Sequence, residues 1–180
     1  MSRYSRGAIT LHWVMAVLII GNLAGGFLHD HVPNDAGQRS LVMGLHTSFG
    51  LSLIVLTLVR LGWRLANPPP LLPDYFTTGE RFLAKAAHWG FYGAMLAVPM
   101  TGWVMADRNA RPLGWFGVPV PKFGVIFGGD KGIADTAHEL HEILGWAMLA
   151  LLALHLAGII KHKWLDRDNL LPRMGLGRAR

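Results

Sequence analysis

Cysteine is missing from all 180 residues. That excludes disulfides, thiolate-held iron–sulfur clusters and covalent haem attachment through C-x-x-C-H. Charge is also scarce: Asp, Glu, Lys and Arg together make up 16% of the chain. Four long stretches contain none of these residues, Ala8–Leu28, Leu41–Val59, Ala86–Ala106 and Ile143–Ile160. Strict two-residue alternation of polar and apolar positions, the mark of a barrel strand, is missing as well. Each stretch is close to the ~20 residues that a helix needs to cross the hydrocarbon core. Helices satisfy their own backbone there, so the expectation is an all-α integral membrane protein, a four-helix bundle.

What charge there is sorts by position. The N-terminal tail, the link between the second and third helices and the C-terminal tail hold twelve Lys or Arg against four Asp or Glu. The remaining connections hold five basic residues (Arg39, Arg108, Arg111, Lys122 and Lys131) against seven acidic ones. This is the positive-inside pattern, with the N- and C-termini both cytoplasmic. The basic balance of the chain is therefore a topology signal directed at membrane lipid, and no nucleic acid partner is implied. The first apolar run is too long for a typical cleaved signal peptide and is read as retained.

The sequence reads as one membrane domain over 1–180, with helices at about 8–28, 41–65, 82–106 and 135–162. The triproline after Asn67 stops the second helix, and Pro99 should kink the third. The longest connection, about 107–134, is rich in Gly, Pro and aromatics, which suggests an ordered outer loop. Tryptophans near helix ends, such as Trp13, Trp63 and Trp103, fit an interfacial belt.

Against this background nine histidines stand out. Ionisable groups inside membrane helices are costly and are functional candidates by default. They fall into two depths: His12, His88 and His155 near the cytoplasmic face, His46, His138 and His141 near the outer face. His29 and His31 lie in the first outer loop, and His162 at the cytoplasmic end of the last helix. Fourteen residues separate His141 from His155, which puts them within ~40° of the same helix face and about 21 Å apart along the axis. His138 lies roughly 100° away from His155.

One helix thus presents two imidazoles inward, one per leaflet. Opposed imidazoles from facing helices are what a six-coordinate haem b requires. Gly50 and Gly145 each follow a histidine by four residues, on the same face, and clear room for a flat macrocycle. At the cytoplasmic depth, residue order alone allows either His12 or His88 to oppose His155. A zinc site built from His138 and His141 with Glu139 or Glu142 is the competing reading, although H-E-x-x-H is broken by Glu142. A zinc-binding or transport bundle of that kind would be colourless.

LHW at Leu11–Trp13, His46 to Gly50, LVRLGWRLANPPP, AHWGFY, PMTGW at Pro99–Trp103, and HEIL followed by ALH ending at His155 closely resemble the bacterial cytochrome b561 family. The similarity runs from Tyr4 through RDNLLPRM. It implies a four-helix membrane bundle of the bacterial inner membrane with two haems b. His12 and His155 would ligate the cytoplasmic haem, His46 and His141 the outer one. Members most similar in motif order are superoxide oxidases, which implies electron transfer from superoxide to ubiquinone. Arg108, Arg111 and Lys122 are the candidate steering cations for superoxide, with Lys131 nearby. Arg60, on the face of His46 but fourteen residues on, would approach the inner haem. His88 and Tyr92 would line the ubiquinone pocket. The alternative is a relay subunit that exchanges electrons between a periplasmic redox protein and the quinone pool.

Overall fold

The computed structural model describes residues 3–33, 37–73, 75–108, 112–166 and 170–177. Four long helices dominate: α1 (Arg6–Leu28), α2 (Gln38–Ala66), α3 (Thr78–Met105) and α5 (Lys131–Ile160). A two-stranded hairpin, β1 (Leu113–Trp115) and β2 (Val118–Val120), and the short α4 (Phe123–Phe127) lie between α3 and α5. Polar residues start the helices: Ser5 Oγ accepts from the Ala8 N–H, and Asp130 Oδ1 accepts from the Ile133 N–H. Thr77 and Glu80 form a reciprocal capping box on α3.

Three helices, α1, α2 and α5 extended through Leu165, are long and apolar enough on their own to cross a membrane. α3 has the length but is diluted by His88, Trp89, Tyr92, Thr101 and four glycines within the helix. It compensates by burial, since Tyr92, Ala94, Met95 and Pro99 are all covered by protein. The outside of the assembly is greasy. Val17, Leu58 and Leu154 are 69%, 56% and 70% exposed, a surface suited to lipid rather than water.

Packing runs α1 on α2, α2 on α3 and α3 on α5. Among the described residues, α5 approaches α1 and α2 only sparsely along the backbone. Side chains fill the middle of the resulting gap: Met15, Ile19, Leu53, Tyr92, Met95 and Met148 form one buried cluster. Met148 lies midway along α5 between His141 and His155.

The two ends of the molecule are finished differently. At the end holding the chain termini, Leu170–Gly177 folds back against the start of α1. The Tyr4 N–H donates to the Arg173 carbonyl at 3.2 Å, and the Trp13 indole donates to the Met174 carbonyl at 2.9 Å. Arg173, nearly buried, donates to the Leu71 carbonyl at 2.6 Å beside the proline run. Trp63 donates to Ser5 Oγ, and its ring lies so close over Gly7 that a Cβ there would overlap it. The Lys161 ammonium sits between Glu80 and Asp166 at 2.6 and 2.7 Å. That contact holds the Glu80 carboxyl at about 2, well below the usual range, helped by donors from Thr77.

At the opposite end the hairpin is pinned to α2. Its turn puts both Phe116 (φ 50°) and Gly117 (φ 86°) in the left-handed region, the conformation a two-residue hairpin needs. The Phe116 N–H donates to Ser48 Oγ at 2.9 Å, the Trp115 indole donates to Ser52 Oγ at 2.9 Å, and the Phe116 ring meets Phe49 edge-on.

Candidate cofactor-binding site

Two pairs of imidazoles face one another across the gap that α5 leaves. Near the hairpin end, His46 on α2 and His141 on α5 hold their ring centroids 6.0 Å apart. Near the termini end, His12 on α1 and His155 on α5 stand 6.3 Å apart. A metal–imidazole bond is about 2 Å and the ring centroid lies roughly 1.1 Å further, so two histidines on opposite sides of one iron keep their centroids about 6 Å apart. Both pairs meet that spacing. The members of each pair come from different helices, so the spacing is a product of the fold.

At the hairpin end the rings are held by the backbone. His46 Nδ1 lies 3.0 Å from the Asn22 carbonyl of α1. His141 Nδ1 lies 2.9 Å from the Val98 carbonyl and 3.2 Å from Thr101 Oγ1, both on α3. A carbonyl only accepts, so each Nδ1 carries the proton and each Nε2 keeps its lone pair for a ligand. Pro99 lies next to Val98, and a proline inside a helix opens the local hydrogen-bond ladder. The carbonyl that loses its partner is that of Met95, four residues back from Pro99, so the Val98 carbonyl serves the neighbouring helix through a second lone pair, as any helical carbonyl can.

Glycine makes the close approach achievable. A Cβ on Gly26 would come within 3.1 Å of the His46 ring, and one on Gly102 within 3.1 Å of the His141 ring. Gly145 has nothing within 4 Å of where its Cβ would lie, and faces open space. That space is a cavity of about 430 Å³ lined by both histidines, Gly50, Gly145, Met95 and Trp146. It falls within the roughly 300–1,000 Å³ of small-molecule and cofactor sites. Asn22 Oδ1 is buried without a hydrogen-bond partner and also lines it. An apolar slot, two imidazoles whose Nε2 lone pairs these bonds leave available, and glycines packed against each ring fit a planar macrocycle that both histidines would hold.

The termini-end pair is set differently. His12 Nδ1 lies 3.3 Å from Arg60 Nη2; with a metal on Nε2, Nδ1 keeps its proton, so the guanidinium then stands beside the ring as a charge and not as a hydrogen-bond donor. His155 packs edge-on against Phe91. His88 directs Nδ1–H to the Ala84 carbonyl one turn back on its own helix at 2.6 Å. Tyr92, four residues on, is buried, with the Arg64 guanidinium 5.8 Å from its ring.

The other sequence candidates spread around the rim. His138, which the helical-face argument sets apart, lines the same cavity as His141 and lies 3.5 Å from Glu142. Arg108 follows α3 and pairs with Asp135 of α5 at 2.7 Å. Lys122 caps α4, and Arg111 lies outside the described residues. Sequence reasoning missed Gly26, Gly102 and the carbonyls of Asn22 and Val98. The glycines carry a usable signal, because each sits on a facing helix at the depth of a ligand histidine. The carbonyls carry none, since every residue has one.

A family model described as prokaryotic cytochrome b561 matches residues 3–177. Cytochrome b561 homolog 2 of Escherichia coli (strain K12) is 31% identical over 182 residues, covering 98% of this chain and 93% of that protein. A protein of Yersinia pestis described as probable superoxide oxidase is 27% identical, covering 96% of this chain and 95% of its own length. Cytochrome b562 of Cereibacter sphaeroides is 28% identical, covering 95% and 94%.

Proposed function

Because this chain belongs to the prokaryotic cytochrome b561 family of haem b-binding electron-transfer membrane proteins, we propose that it is a di-haem superoxide:ubiquinone oxidoreductase of the bacterial inner membrane. In this reading all four long helices cross the bilayer as one bundle with both termini cytoplasmic. The hairpin end is then the periplasmic, outer end. The observation that carries the proposal is the pair of opposed imidazole sets at two depths, 6.0 and 6.3 Å between ring centroids.

His46 and His141 would hold the outer haem b, His12 and His155 the inner one. Each bound haem supplies a one-electron couple. Everything else is done by the chain. The Asn22 and Val98 carbonyls fix the outer imidazoles in the ligating tautomer. α5 fixes the spacing of the two sites, because it carries one ligand of each. The apolar cluster around Met148 excludes water between them. Two superoxide ions give up one electron each and leave as dioxygen. Ubiquinone takes both electrons, together with two protons from the cytoplasmic side. His88 is the better ubiquinone contact on the inner side, because Tyr92 is covered by Arg64 and its neighbours.

Superoxide is an anion and reaches a site faster in a positive field. Arg108 is half spent on Asp135, which leaves it part of its charge for steering. That same neutralisation favours a second reading, a relay that receives electrons from a docked periplasmic redox protein. A superoxide pulse on the purified, haem-loaded protein with ubiquinone separates the two. The enzyme reduces its haems and the quinone faster than solution controls. The relay does so only when a protein donor is added. A preparation with no haem at all would refute both.

A further inference from the structure

The two sites sit in opposite electrostatic surroundings. Around the outer pair, both Nδ1–H groups donate to backbone carbonyls, which makes an imidazole a stronger electron donor to its metal. No Arg or Lys lines that cavity among the described residues, and the carboxylate of Glu142, next to His141, does line it. Around the inner pair the nearest charge is a cation. Arg60 reaches from α2 to within 3.3 Å of His12 Nδ1, and the His155 ring stands 6.3 Å from that of His12. Arginine keeps its charge at every pH the protein meets.

We propose that Arg60 sets the inner centre at a higher reduction potential than the outer one, so that electrons pass from outer to inner site downhill. The inference rests on the two-haem reading. Reduction adds negative charge to the centre. A fixed guanidinium beside His12 would stabilise that added charge, in a low-dielectric setting where the effect is large. Carbonyl-bonded imidazoles and a nearby carboxylate stabilise the oxidised form instead. Arg60 is thus a positioning residue for direction: it acts through the energy of the centre and touches no substrate.

The test is an equilibrium redox titration of the purified holoprotein, read from haem absorbance, with haem per chain measured alongside. Wild type should give two one-electron waves. Arg60→Gln should lower the upper wave at least tenfold in its equilibrium constant, which is 59 mV for one electron, and leave the lower wave in place. Arg60→Lys, which retains the charge, should keep the upper wave near its native position. Glu142→Gln should raise the lower wave by a smaller amount, because that carboxylate is 66% exposed. Two haems with an unmoved upper wave in Arg60→Gln would overturn the proposal, as would Arg60→Lys falling as far as Arg60→Gln. Fewer than two haems in the wild-type protein would instead refute the cofactor reading on which it stands.

Discussion

Gly145 offers the sharpest perturbation of the outer site. Its Cα faces the cavity, with nothing within 4 Å of an added Cβ. Gly145→Leu places four heavy atoms in that space. At roughly the 30 Å³ share of a water molecule each, they take about 120 of the 430 Å³. The helix itself gains, since leucine is favoured over glycine in a helix interior by about 0.8 kcal/mol. The substituted protein should therefore fold and insert normally while losing one haem of two. Haem per chain, measured by the pyridine haemochromogen spectrum against protein concentration, should fall from two to one. Gly21→Leu is the control: Gly21 also has nothing within 4 Å, but it is exposed on α1 away from the cavity, and both haems should remain. Two haems with an unaltered spectrum in Gly145→Leu would refute the assignment of this cavity to the macrocycle.

Two further outcomes test the frame around the sites. Ser48→Ala leaves the Phe116 N–H without its acceptor, at a cost of about 1–3 kcal/mol. Amide hydrogen exchange across 112–120 should quicken roughly tenfold or more, and unchanged exchange would mean that the hairpin is held by its rings alone. At the other end, Glu80 has its carboxyl held at about 2 by Lys161. Because its folded value lies below its unfolded one, the contribution is complete above about pH 4.5 and is lost as pH falls toward 2. Melting temperature in detergent should drop across that window in the wild type, and the Glu80→Gln protein should lack that part of the drop.

The membrane class was legible because lipid imposes a coarse rule: charge-free runs of helix length have few other homes. The positions of the histidines were legible for a related reason, as polar groups stand out on an apolar background. The fine supports were not. Periodicity placed His138 off the ligand face, yet the cavity is wide enough for it to reach the rim. The hairpin escaped because its strands are three residues each and its turn puts a phenylalanine at positive φ, a position where glycine or asparagine is the usual signal. Phe116 adopts it because Ser48 and Phe49 on α2 hold the turn from outside. Arg60 was visible as a residue on the right face, but its 3.3 Å approach to His12 depends on how α1 and α2 pack.

One helix carries a histidine of each pair, and this makes α5 a ruler. Adding or removing a single residue between His141 and His155 would swing one ring by about 100° and shift it by 1.5 Å along the axis. Shifting by a whole seven-residue block would restore the facing but move the sites about 10 Å relative to one another, beyond the reach of their partners on α1 and α2. Of the thirteen residues from Glu142 to Leu154, those outside the cavity and the buried cluster, such as Leu154, can therefore drift in identity, while the number of all thirteen stays locked. Over evolutionary time its lipid-facing positions should accept substitutions and the segment should accept no insertions.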